Sequence, residues 1–177
     1  MTTFSGGEQG LWMIERNEAV TGEGLAPAAR LDIGEDPTPP GATWVLRGVP
    51  SYERYVNAAE QAELRNRSPE LGRPEATRAA LIPIRKSAAW WDLTQDERRE
   101  IFEERSRHIA TGLKYLPAVA RRLHHGRELG EPFDFLTWFE YAPADAAAFE
   151  ELVAILRETD EWRYVEREVD IRLSRET

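Results

Sequence analysis

The stretch Glu131–Pro143, EPFDFLTWFEYAP, decides how the rest of the chain is read. Phe133, Phe135, Thr137, Phe139 and Tyr141 fall on one side of an extended chain, and Leu136 and Trp138 on the other. A strand with apolar groups on both faces is central in its sheet, covered above and below. Pro143 then opens a helix in which Phe149, Leu152, Val153 and Leu156 follow the three-four spacing of a buried stripe. The final strand, from about residue 162 to 173, alternates Val165, Val169 and Ile171 with Glu166, Glu168 and Asp170, which predicts one wet face.

Upstream of this core, Thr94-Gln-Asp-Glu97 has the form of a capping box. It predicts a helix running through ERREIFEERSRHIA, with Gly112 as its stop. On such a helix Ile101 and His108 share a face, two turns apart, so His108 points inward. AALIPIRKSAAW reads as a strand interrupted or flanked by Pro83. Residues 52–65 read as a helix rich in Ala, Glu, Gln and Leu. LWMIER, AARLDI and TWVLRGV read as strands, and GEDPTPPGA, Gly34–Ala42, is a loop separating an N-terminal piece from the main body. The order strand, helix, strand, strand, helix, strand predicts an α+β fold built on a split βαβ or ferredoxin-like unit, in one copy or two. Residues 1–42 belong to the same domain as 43–177 in this reading.

The whole chain sets the limits. Its 177 residues bury a core without staples, and 41% hydrophobic with 31% charged residues is the composition of a folded globular protein. There is no cysteine, so disulfides, iron–sulfur clusters and thiolate ligation are excluded, and any metal leans on histidine or carboxylates. A net charge of −9 argues against nucleic-acid binding. No run approaches the roughly 20 apolar residues of a membrane span, and no basic segment followed by an apolar run opens the chain, so the expectation is a cytoplasmic protein. Arg105, Arg107, Lys114, Arg121, Arg122 and Arg127 nonetheless lie in a segment without a single Asp or Glu. Such a segment is either a solvated basic face or a receiver for an anion.

Three histidines are present, His108, His124 and His125. None lies at helical ligand spacing from His108, and adjacent histidines on a strand point to opposite faces, which disfavours zinc. Haem iron needs only one proximal histidine. The residues alone leave a structural histidine and a haem ligand both open.

The run from Trp90 to Glu168 resembles the chlorite dismutase family, in particular its short, dimeric branch. The residues that carry the likeness are Trp90-Trp91, His108-x5-Lys-Tyr-Leu-Pro117, ARRLHH from Ala120, and LGEPFDFLTWFE from Leu129. The resemblance implies a dimeric α+β barrel with haem b, His108 as the iron's proximal ligand, and Arg121, thirteen positions on, as the catalytic cation over the opposite face. It implies that Glu161 accepts from the proximal imidazole, with a lysine behind it that is either Lys86 or Lys114. It implies that Leu123, Thr137 and Phe139 line the distal side, and that Trp90 and Trp91 lie near the haem edge or the subunit interface. The reaction implied is decomposition of chlorite to chloride and dioxygen, through oxygen-atom transfer to ferric haem and recombination with hypochlorite. The rivals are a coprohaem decarboxylase-like enzyme, a branch that lacks the distal arginine, and a non-catalytic haem-binding protein. The implied partners are chlorite and a second copy of the chain.

Overall fold

The computed structural model describes residues 1–35, 39–51, 69–105, 108–115 and 118–177, and of Ser51, Glu104, Arg105, His108, Ile109 and Leu113 the backbone alone. The helix expected over 52–65 lies outside the described residues.

Eight strands are described: β1 (Thr2–Gly7), β2 (Trp12–Thr21), β3 (Arg30–Gly34), β4 (Trp44–Ser51), β5 (Arg78–Lys86), β6 (Val119–His125), β7 (Phe135–Tyr141) and β8 (Val165–Ser174). They close a barrel in the order β1-β3-β2-β8-β5-β7-β6-β4, with antiparallel pairing at every seam. Closure occurs within one chain and removes the exposed strand edges. The N-terminal strands β1–β3 are staves of this barrel, with β2 paired to β8 and β1 to β4.

Strand alternation divides the apolar residues into two layers. Phe4, Leu46, Leu81, Leu136, Trp138 and Ile171 come from different staves and meet in the barrel interior. The opposite faces of β5 and β7 carry Ala80, Ile82, Phe139 and Tyr141, which pack against Phe149, Leu152 and Leu156 of a helix lying outside the barrel. β7 therefore has both faces covered, as its sequence predicts.

The helices are α1 (Ala88–Trp91), α2 (Gln95–Arg99), α3 (His108–Lys114) and α4 (Ala146–Arg157). The capping box is present: Thr94 Oγ1 accepts from the Glu97 backbone N–H at 3.2 Å, and Glu97 accepts from the Thr94 N–H at 2.7 Å. The helix it starts is not the single α-helix expected. α2 passes into a π-helix over Glu100–Arg105, whose wider turns break the seven-residue, two-turn relation assumed between Ile101 and His108. Gly112 does not stop α3, which runs on to Lys114. A mid-helix glycine costs only about 1 kcal/mol, which the helix tolerates.

Two further expectations meet the structure. Pro83 lies within the central strand β5 and interrupts it on one side: pairing to β7 runs unbroken through Pro83↔Leu136, whereas the ladder to β8 skips from Leu81↔Ile171 to Ile84↔Glu168. The missing proline N–H is accommodated in that gap. The polar face of β8 is wet at Glu166 but not beyond it. Glu168 and Asp170 are 0% and 1% exposed, because α4 covers them and supplies Arg157, which donates to Glu168 at 2.7 and 2.9 Å and to Asp170 at 2.8 Å. Arg172 donates to Asp170 at 2.5 and 3.0 Å, and the Trp162 indole to Glu168 at 2.9 Å. Burial alone would raise the Asp170 carboxyl, but hydrogen bonds and charge from Arg172 and Arg157 outweigh it and hold the group below its ordinary value.

Candidate functional site

The outer face of β5, β7 and β6 brings the expected residues together by register. Three cross-strand rows lie side by side: Ala80–Phe139–Arg121, Ile82–Thr137–Leu123 and Ile84–Phe135–His125. Neighbouring strands are about 4.8 Å apart and alternate residues along a strand share a face. Arg121, Leu123, Thr137 and Phe139 thus form one contiguous patch, apolar except for the Thr137 hydroxyl and the Arg121 cation. Arg121, Leu123 and Thr137 are half-buried and Phe139 is buried.

The same face of β5 continues to Lys86. Its ammonium lies 2.7 Å from Glu161 Oε1, and both side chains are 4% exposed. Glu161 opens the 3-10 turn Glu161–Tyr164 that leads into β8. The structure therefore selects Lys86 as the partner of Glu161; Lys114 is exposed at the end of α3. Removing both charges from water is repaid only where geometry and further contacts are good, and here the ammonium also lies 3.5 Å from the centroid of the Trp90 ring.

The two tryptophans have different roles. Trp90 is fully buried beneath Lys86 and packs with Ile101 and, edge-on at 5.4 Å, with Tyr164. Trp91 is half-buried, stacks on Phe135 at 6.0 Å, and lies under the Arg127 guanidinium at 4.1 Å. Trp91 thus borders the patch, while Trp90 is the floor under the lysine. Arg98 joins α2 to both by donating to the Trp90 and Trp91 carbonyls at 3.1 and 2.7 Å.

The histidines separate as strand parity predicts. His124 faces the interior, 2% exposed, with Nδ1 3.1 Å from the Leu136 carbonyl oxygen and its ring edge-on to Phe4 at 5.1 Å. Burial pushes its pKa down from 6.5 to about 4, the Leu136 hydrogen bond only partly opposing this. It is a neutral core residue. His125 faces outward beside Phe135, on the patch that carries Arg121. His108 is the first residue of α3, and its side chain lies outside the described residues.

Sequence reasoning did not single out Asp134, and it named Arg127 only within the basic segment and Phe135 only as a strand residue. The buried Asp134 carboxylate accepts from the Lys86 backbone N–H at 2.8 Å and from the Trp91 indole at 3.2 Å. Its position inside EPFDFLTWFE, a polar residue between two phenylalanines, was the available signal. What the patch offers chemically is a largely apolar surface with the Arg121 cation, adjoining a buried carboxylate held by a lysine.

The family model for chlorite dismutase matches residues 42–177. A chlorite dismutase from Ideonella dechloratans is 36% identical over 86 residues, 49% of this chain and 28% of that protein, so the match spans little more than a quarter of that curated relative. Among solved structures, a dimeric chlorite dismutase from Nitrobacter winogradskyi is 60% identical with a TM-score of 0.93, covering 99% of this chain and 100% of that one. A mutant chlorite dismutase from Candidatus Nitrospira defluvii in complex with cyanide is 28% identical with a TM-score of 0.61, covering 82% of this chain and 56% of that one.

Proposed function

This chain belongs to the chlorite dismutase family, and we propose that it is a haem-dependent enzyme that decomposes chlorite to chloride and dioxygen. The observation that carries the reading is the cross-strand register that sets Arg121 on one face with Leu123, Thr137 and Phe139.

The residues present fit a haem b group. The sheet face is largely apolar, as a porphyrin requires of its surroundings, and the buried Glu161 carboxylate has the chemistry to accept an imidazole N–H. His108 would hold the iron, Glu161 would accept from its imidazole, and Trp91, Leu123, Thr137 and Phe139 would form the wall around the group. When bound, the haem iron supplies the oxygen-atom-transfer chemistry.

The chain's own residues supply the rest. Arg121 stays cationic at all working pH values and presents several N–H donors, so it draws in chlorite, holds the oxyanion, and keeps hypochlorite in place for recombination. Leu123 and Phe139 exclude competing water, which lowers the local dielectric and strengthens the Arg121 interaction. Lys86 compensates the Glu161 charge in a site where neither could stand alone. No proton is consumed overall, so the patch needs no acid or base of its own.

The strand order β8-β5-β7-β6 supports reading the C-terminal half as a ferredoxin-like unit. The dimeric state of the N. winogradskyi protein supports a homodimer. Chlorite added to the haem-loaded protein in an oxygen-electrode cell tests the function. Rapid oxygen release supports it; none is the result expected of a coprohaem decarboxylase-like enzyme or a haem-transfer protein, and would sink it.

A further inference from the structure

The end of β5 contains an irregularity that places Lys86. Pairing with β8 keeps one register from Arg78↔Ser174 to Arg85↔Arg167 and then slips, so that Lys86 lies opposite Val165. The extra residue of the slip, Glu166, lies on β8, and Lys86 keeps the face of Ala80, Ile82 and Ile84. Arg85 remains at the surface, 2.7 Å from Glu166, while its neighbour Lys86 is buried and reaches Glu161.

Asp134 meets the bulge. One carboxylate oxygen, Oδ2, accepts both the Lys86 backbone N–H at 2.8 Å and the Trp91 indole N–H at 3.2 Å. Its own N–H donates to the Ile84 carbonyl at 2.9 Å, and its carbonyl accepts from Gly126 at 3.0 Å. The other carboxylate oxygen lies 3.8 Å from Arg127, the residue whose guanidinium covers Trp91. The side chain is 8% exposed, and it joins the end of β5, α1, the turn after β6 and the start of β7. Three of these segments, the end of β5, α1 and β7, carry residues of the proposed site: Lys86, Trp91, and Thr137 with Phe139.

We propose that Asp134 is a positioning residue: its carboxylate fixes the bulge at Lys86 and the tilt of the Trp91 indole, and so sets the Lys86–Glu161 pair and the Trp91 wall together. Its effect on haem rests on the proposed function, whereas the fixing of Lys86 and Trp91 does not.

Hydrogen exchange read by nitrogen-15 NMR on the full chain tests the second point. In Asp134→Ala the Trp91 indole N–H and the Lys86 amide exchange more than tenfold faster than in the parent protein. The Trp138 and Trp162 indoles, bonded to Glu140 and Glu168, serve as references and stay unchanged. Asp134→Asn, which keeps an acceptor oxygen, restores most of the protection. Unchanged exchange at Trp91 and Lys86, or acceleration of all the indoles alike, overturns the proposal.

In the haem-loaded protein, Asp134→Ala moves the reduction potential in the same direction as Lys86→Met, and the double variant moves it no further. Additive shifts overturn the coupling. If the exchange result holds in a protein that takes up no haem, the functional reading fails and the positioning role stands.

Discussion

Lys86 Nζ lies 2.7 Å from Glu161 Oε1 across 75 residues of sequence, with both side chains withdrawn from water. Breaking one side of a buried pair leaves the other charge uncompensated, at about 3–5 kcal/mol. Lys86→Met is therefore expected to lower unfolding free energy by about that amount, and Lys86→Met combined with Glu161→Gln to recover much of it. Denaturant unfolding of the two singles and the double gives the coupling; additive losses would show that the pair does not act as a unit.

Strand parity narrows the choice of iron ligand. His124 is enclosed in the barrel, whereas His125 shares the outer face with Arg121. His108→Ala is expected to abolish haem uptake, followed as the Soret band on titration, and His125→Ala to retain it. Loss of haem in His125→Ala with retention in His108→Ala would reassign the ligand.

Arg121 is expected to act on the reaction rather than on haem retention. A charge-assisted hydrogen bond is worth about 1.5–3 kcal/mol, so Arg121→Ala should lose about 10- to 100-fold in kcat/KM for chlorite while still binding haem. It should also release hypochlorite, measured as chlorinated scavenger product per chlorite consumed. A variant yielding no more of that product than the parent would show that Arg121 does not retain the intermediate.

Two buried groups set the acid limit of stability, in separate windows. His124 is held near pKa 4 when folded against 6.5 when free, so its contribution is complete above about pH 6.5 and declines as pH falls toward 4. Asp170 is held below its ordinary 3.8, so its contribution is present above that value and is lost only at lower pH. Thermal unfolding followed from pH 7 to pH 3 should show a first decline between about pH 6.5 and 4 that is absent in His124→Gln, and a second below 4. A parent curve flat down to pH 4 would contradict the assignment of His124 as a buried neutral histidine.

What the sequence revealed was what depends on neighbours along the chain. The Thr94–Glu97 capping box is a four-residue interaction, and the faces of β7 follow from alternation, so Thr137 and Phe139 could be placed on one side before any fold was known. Arg121 and Leu123 share a parity for the same reason. Contacts between distant segments were not legible. The acidic face of β8 reads as solvent-exposed until α4 brings Arg157 over it. Pro83 reads as either interrupting or flanking its strand, and only the skipped ladder to β8 decides for interruption. Lys86 could not be chosen over Lys114 because its partner Glu161 lies 75 residues away in sequence and meets it only in the folded barrel. The π-helical turns after Arg99 left no pattern that distinguishes them from a continued α-helix.

Both oxygen atoms of the dioxygen are expected to come from chlorite, recombined within the site bounded by Arg121. Oxygen-18-labelled chlorite turned over in ordinary water by the haem-loaded protein, with the gas read by mass spectrometry, tests it most directly. Doubly labelled dioxygen, one per chloride released, is the predicted result; dioxygen carrying an atom from water, or none at all, would contradict it.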